Sequence, residues 1–309
     1  MTIPTLHPAD RVEITVLVDN YTDMFLIQNT ENTRRPVFLP PKALLAEHGF
    51  SCLIQVFSGR SKHTFLMDAG VSSSCLMHNA DLLGVDLNTI DGVVLSHGHP
   101  DHFGGLIDVV KTREGISLYC HPDAFLERRM NNPAAGPRGM PTLDEESLKK
   151  HGVRIHTSRG MVLLASDCIG LTGEVERRTP FENGIPMLAA KIDGDWIIDP
   201  LLDDQGLVVN VQGKGLVIIC GCAHAGIVNT VFHAQRVTGI DTVHAVLGGF
   251  HLTGPYFAPI IQPTIDEMKR INPDYIVPMH CTGWSAMTRF EQEMPDKFIL
   301  NTVGTTYIF

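Results

Sequence analysis

Within the stretch VVLSHGHPDHFGG, residues 93–105, His97, His99, Asp101 and His102 fall on four of six consecutive positions. An apolar core has no use for so many imidazoles, and a solvated surface seldom clusters them so tightly. His97 and His99 flank one glycine, so both rings can turn toward a single cation, while Asp101 and His102 follow on the next turn and can serve a second. Imidazole nitrogen with carboxylate oxygen suits zinc, with divalent manganese or iron as alternatives. The competing reading is a capped turn with solvent-facing histidines. It is the weaker one, because tight His/Asp clusters mark metal or catalytic sites. In VIICGCAHAGIVN, His224 falls at a strand end and helix start, from which it can project inward as a third ligand. Cys220, Cys222 and Cys281 lie beside these histidines and are either zinc thiolates or ordinary small core residues.

Anion contacts have their own candidates. LTGEVERRTPFENG concentrates Glu174, Glu176, Arg177, Arg178 and Glu182 in a loop after a strand. Either it is a solvated charged loop, or Arg177 or Arg178 pairs with a phosphate, as a planar guanidinium does well, with Glu174 as a further substrate contact. Arg128, Arg129 and Arg138 are placed to do the same. A helix N-terminus after HAG would offer backbone N–H groups to an anion. His121, His151 and His244 read as structural or exposed.

The elements that must position these groups alternate. VEITVLVDN, FSCLIQVFSG and KHTFLMDAG read as strands with turns between them, and CLMHNADLLGVDLNTI as a helix. GVVLS is an apolar strand that delivers the histidine cluster onto the loop at its C-terminal end. ISLYCHP is another strand. MNNPAAGPRGMP is expected to form a mobile loop or lid, leading to a helix in TLDEESLKKHG with Thr142 and Glu145 at capping-box spacing. Strands are then expected in VRIHTS, GMVLLASDCIGLTG, MLAAKIDGDWIIDP, GKGLVIICG, TVHAVLGG and DYIVPMH, and helices in NTVFHAQRVTG and PTIDEMKRIN. Two similar halves, each a sheet with helices on one side, predict an α/β four-layer αββα sandwich. The whole chain, 1–309, is expected to be one domain with a lid insertion at about 128–150.

Composition narrows the partners. The chain has 309 residues, 44% of them hydrophobic, and a formal net charge of −10, which disfavours nucleic acid and anionic membrane surfaces. No stretch reads as a membrane span or signal peptide, so the expected compartment is the cytoplasm. Seven cysteines with no C-x-x-C pair suit reduced thiols better than disulfides.

The H-x-H-x-D-H pattern at the end of an apolar strand, followed by FGGL, resembles the signature of the metallo-β-lactamase superfamily over most of the chain. The succession CGCAHAGIVN, LGGFHL and PMHCTG resembles the branch that includes 7,8-dihydropterin-6-methyl-4-(β-D-ribofuranosyl)aminobenzene-5′-phosphate synthase. The resemblance implies that His224 completes a first metal site, that His280 completes a second, and that Asp68 supports the histidine loop by hydrogen bonding. One departure stands out: most members carry a strand-end aspartate that bridges the two metals, and none matches cleanly here. Either His224 or His251 is expected near that place, with His251 a metal ligand, a catalytic group or a substrate contact.

The implied function is a metal-dependent transferase acting on a pterin diphosphate and a phosphorylated aromatic amine, the cation organising the diphosphate leaving group. Alternatives are a metal-dependent hydrolase of a phosphodiester, ester or lactone, in which Asp101 orients a metal-bound water, a di-iron redox protein supplied with electrons by a partner, and a non-catalytic metal- or ligand-binding module. The expected partner is a small anionic molecule, such as a phosphorylated pterin. Metal identity, ion count and oligomeric state stay open.

Overall fold

A computed structural model describes residues 5–132 and 134–309. Two large sheets face each other. The first has eight strands in the order Arg154–Thr157, Ser117–Cys120, Gly92–Val94, Ser61–Met67, Ser51–Ser58, Arg11–Val18, Thr306–Ile308 and Thr33–Arg34. The second has seven, running Val162–Leu164, Ile169–Leu171, Gly206–Val211, Gly215–Cys220, Val243–Gly249 and Tyr275–Met279, with Pro8–Ala9 paired onto Gly206–Val211. The halves are interlaced, because the last strand, Thr306–Ile308, returns to pair antiparallel with Arg11–Val18 of the first sheet.

The period of two in each strand sorts its side chains between layers. Val12, Ile14, Val16, Ile54, Val56, Phe65 and Met67 meet Leu207, Val209, Val217, Ile219 and Leu247 between the sheets. Leu53, Leu66 and Val93 face outward against Leu76 and Ala80 of the helix Ser73–Leu82 and Val109 of Leu106–Thr112. On the other side Leu216, Ile218 and Val246 pack against the helices Ile227–Thr238, Ile261–Ile271 and Trp284–Glu293. Gly215–Cys220 is buried along its whole length, which is why GLVIIC reads as a continuous apolar run rather than an alternating one. The expected four-layer αββα sandwich is therefore present. Among the described residues no helix is long and apolar enough to cross a membrane.

Two expectations need correction. MNNPAAGPRGMP is not without regular structure: Arg128–Asn132 and Gly136–Gly139 pair antiparallel, and Arg128–Asn132 also pairs with Leu188–Ile192, which pairs with Asp195–Ile198. MLAAKIDGDWIIDP thus contributes to this separate four-stranded sheet rather than to the sandwich. Pro137 is tolerated because it lies on the edge strand, where a missing N–H breaks no inner ladder. The helix that follows, Glu145–Lys150, is capped by Asp144, whose carboxylate accepts from Ser147 N at 3.0 Å, and not by Thr142.

Candidate metal centre

Parallel strands of both sheets end at one edge of the sandwich, and their C-terminal loops supply the site. Gly92–Val94 leads into Ser96, His97 and His99; Gly215–Cys220 leads into Cys222 and His224; Val243–Gly249 leads into His251; Tyr275–Met279 leads into His280. Gly98 is required between the two histidines, since a Cβ there would stand 2.1 Å from Ala124 O. Asp68, Ala223, His251 and His280 all hold φ between 47° and 60°, the left-handed region that non-glycine residues avoid. Such strain collects where side chains must be aimed.

Three overlapping donor groups result; one is Cys222 with His251 and Cys281, and the other two take residues of the histidine loop. His224 Nε2 lies 3.1 Å from His97 Nε2 and 3.0 Å from His99 Nδ1. Burial holds all three imidazoles in the neutral form, lowering His97 and His224 well below the ordinary histidine range and, with the Arg128 guanidinium nearby, pushing His99 down to about 3. Three neutral rings meeting nitrogen to nitrogen leave lone pairs that one proton serves poorly and one cation serves together. The second group gathers Asp101, His102, Cys222 and His280. Asp101 Oδ2 stands 3.7 Å from His102 Nε2 and 3.5 Å from His280 Nε2. Burial opposes ionisation of Asp101, but His102 and His280 outweigh it and hold the carboxyl well below the usual range. His280 Nε2 is buried with no hydrogen-bond partner among the described residues. Both groups fit divalent cations: buried imidazoles, an ionised carboxylate and a thiol, at spacings a bound ion would bridge. Against the effect of burial, the Asp101 and Asp68 carboxylates raise His102 to about 9, so a cation in the second group would take the place of its proton.

Supporting contacts fix which ring nitrogens are free. His102 Nδ1 donates to Asp68 Oδ2 at 2.7 Å, which turns Nε2 toward Cys222 Sγ at 3.2 Å and makes it the nitrogen that would face a cation. Ser96 Oγ donates to the same Asp68 oxygen at 2.7 Å and accepts from His97 Nδ1 at 2.9 Å, so His97 Nε2 is free as well. His280 is held by its backbone, its N–H donating to Asp19 Oδ1 at 2.8 Å and its carbonyl accepting from Asn20 Nδ2 at 2.9 Å. Sequence reasoning missed Ser96, Asp19, Asn20 and the position of Cys222. The D-N pair ending VEITVLVDN was the available signal for two of them.

His251 stands beside His224, with ring centroids 4.3 Å apart, and both line a cavity of about 200 Å³. Phe181, Phe250, Tyr256 and Phe257 wall it, and Glu182 and Asn183 supply polar groups. The helix N-terminus expected to bind an external anion is taken by the chain itself: Glu182 accepts from Val228 N and Asn229 N, each at 2.9 Å. Burial pushes that carboxyl up to about 7.

The arginine candidates separate. Arg177 lies at the rim, its Nη2 3.5 Å from where a Cβ on the cavity-lining Gly184 would stand, and makes no ion pair among the described residues. Arg178 pairs with Glu176 at 2.9 Å. Glu174 pairs with Arg159 at 2.7 Å and with His121 at 3.1 Å. Arg128 is not a surface phosphate contact, because it is buried and paired with Asp199 at 2.7 Å and Asp203 at 2.8 Å. Arg129 lies over the Trp196 ring at 4.2 Å, and Arg138 is exposed. His151 Nδ1 reaches Ser147 O and His244 pairs with Asp274, as structural histidines do.

The sandwich and the paired donor groups at its strand ends define a class: residues 48–140 match the metallo-beta-lactamase superfamily model, and the chain belongs to that superfamily. Within it, the chain is 34% identical to the 7,8-dihydropterin-6-methyl-4-(beta-D-ribofuranosyl)-aminobenzene-5'-phosphate synthase of Methanocaldococcus jannaschii, over 82% of this chain and 87% of that protein. It is also 34% identical to a second, uncharacterized protein of that organism, over 85% of this chain and 94% of the other. Among solved structures, Tm1679, a metal-dependent hydrolase of the beta-lactamase superfamily, superposes with a TM-score of 0.74 at 25% identity, covering 96% of this chain and 98% of that one. Unliganded yeast PDE1 shares the fold at a TM-score of 0.55 and 10% identity, over 96% of this chain and 99% of that one.

Proposed function

We propose that the chain is a metal-dependent transferase that joins a pterin diphosphate to a phosphorylated aromatic amine. The observation that carries this reading is the aromatic-walled cavity that opens directly on His224 and His251. Its rings suit stacking against a flat heterocycle. Arg177 at the rim is free to pair with a phosphate. Divalent cations, zinc first, would be held by His97, His99 and His224 and by Asp101, His102 and His280, and when bound would stabilise the negative charge developing on the departing diphosphate.

The protein's own residues do the rest. The cavity walls hold the ring and exclude water from its methylene carbon, so that the amine nitrogen attacks there: a C–N bond forms as the C–O bond to diphosphate breaks. His251, with its Nδ1 free of hydrogen bonds among the described residues, takes the proton released by the amine. The relative named as a pterin phosphate synthase supports the substrate class.

The test is diphosphate release from the zinc-loaded protein. Release that requires both the pterin diphosphate and the amine, with formation of the coupled product, is expected. Release from the pterin diphosphate alone would replace transfer by hydrolysis. That second reading has one observation in its favour: Asp101, the ligand candidate of the second group, is partly exposed and also lies 3.5 Å from the exposed His48, a place water can reach.

A further inference from the structure

The two donor groups built on the histidine loop share one residue, and it is not a carboxylate. Cys222 belongs with His97 and His224, and equally with Asp101, His102 and His280; in each group the donor atoms lie within 4.8 Å of one another. Its sulfur is 3.2 Å from His102 Nε2. The orphaned, buried His280 Nε2 is a donor of the same group. Among the described residues, Asp101 is the single carboxylate in these groups, and it stands on the side of the second group alone.

The backbone is shaped to bring Cys222 there. Gly221 precedes it so closely against the support network that a Cβ would stand 2.1 Å from Ser96 Oγ and 2.9 Å from Asp68 Oδ2. Gly249 allows the neighbouring strand end to approach, since a Cβ there would meet Cys281 Sγ at 2.6 Å and Cys222 Cα at 3.2 Å. Cys281 Sγ donates to Cys222 O at 3.6 Å, which holds the Cys222 backbone in place.

We propose that Cys222 Sγ is the ligand shared by both cations, a bridging thiolate standing where the superfamily resemblance leads one to expect an aspartate. This rests on the reading of the site as a two-metal centre. Sulfur retains lone pairs enough for two cations, and a bridging thiolate selects thiophilic ions, zinc or ferrous iron, over manganese or magnesium. One thiolate and one carboxylate set against two divalent ions leave the pair with two net positive charges, which suits a diphosphate.

The test uses cobalt(II) alone as the probe, added to the metal-stripped full chain and read by absorption and by bound metal per chain. The expected result is two bound ions with a thiolate-to-cobalt charge-transfer band. Cys222→Ser loses the band and the second ion, Cys222→Asp regains the second ion without the band, and Cys281→Ser keeps both. A band that survives in Cys222→Ser, or that disappears in Cys281→Ser, overturns the assignment. Two bound ions with no band in the unaltered protein would overturn the thiolate bridge and leave the two-metal enzyme standing, whereas no bound ion would remove both. Cys222→Asp also separates a lost ligand from a lost fold, because a collapsed site would not take back its second ion.

Discussion

Asp68 Oδ2 lies 2.7 Å from His102 Nδ1, and the same oxygen accepts from Ser96 Oγ, which in turn accepts from His97 Nδ1. One buried carboxylate therefore orients a candidate ligand in each of the two groups built on the histidine loop. Asp68→Asn keeps the shape, but its amide has one oxygen where the carboxylate uses two, Oδ2 for His102 and Ser96 Oγ and Oδ1 for Ser96 N at 2.7 Å, so an NH2 must face a donor on one side. Metal affinity, measured by competition with a chromogenic chelator, is expected to fall by roughly 10–100-fold with little change in fold. Unchanged affinity would mean that the rings are oriented by packing alone.

Gly221→Ala tests the close approach. The added methyl would meet Ser96 Oγ at 2.1 Å and the Asp68 carboxylate, neither of which can retreat without breaking its own hydrogen bonds. Urea unfolding should show a loss of about 1–3 kcal/mol, the ordinary range for overpacking, together with weaker metal retention. Ile219→Ala, in the core between the sheets, should cost about 2–5 kcal/mol while leaving metal stoichiometry intact.

Much of this architecture is legible in the sequence for definite reasons. The continuous apolar runs GVVLS and GKGLVIICG end in histidine-bearing loops because strands buried on both faces must stop where polar ligands begin, and a tight H-x-H-x-D-H cluster has few other uses. The pairing of Arg128–Asn132 with Gly136–Gly139 is hidden because Pro and Gly in MNNPAAGPRGMP signal a loop, and an edge strand tolerates both. The strand Gly206–Val211 and the C-terminal strand Thr306–Ile308 went unread, the latter because its partner, Arg11–Val18, lies at the far end of the chain. Residue type alone leaves Cys222 open between a zinc thiolate and a small core residue. Only the folded path of Gly221 and Gly249 shows which way its sulfur faces.

Arg177 and Arg178 are neighbours with different situations. Arg177→Ala removes a guanidinium at the cavity rim with no ion pair among the described residues and should raise KM for the proposed phosphorylated substrate by about 10–100-fold, the value of one charged hydrogen bond. Arg178→Ala removes an exposed pair with Glu176 and should leave KM nearly unchanged. Equal effects from the two would place the phosphate elsewhere.

Glu182 gives a pH signature. Its carboxyl is pushed up to about 7 by burial, so the folded state binds a proton that the unfolded state releases near the ordinary value. The stability it contributes is full below the unfolded pKa and is lost as pH rises through about 7. Between these limits the unaltered protein should lose at most about 1.4 kcal/mol per pH unit through this group. Urea unfolding of Glu182→Gln at several pH values should show that part of the slope removed. An identical slope in the variant would assign the titration to other buried carboxyls such as Asp203.

The most direct measurement is elemental analysis of the full chain after zinc loading and desalting, for the unaltered protein, His97→Ala and Cys168→Ala. Cys168 is buried in the core between the sheets and belongs to neither donor group. About two zinc ions per chain are expected in the unaltered protein and in Cys168→Ala, with most of the metal lost from His97→Ala. No retained metal in the unaltered protein, or equal loss in both variants, would contradict the account of a two-cation centre built on the histidine loop.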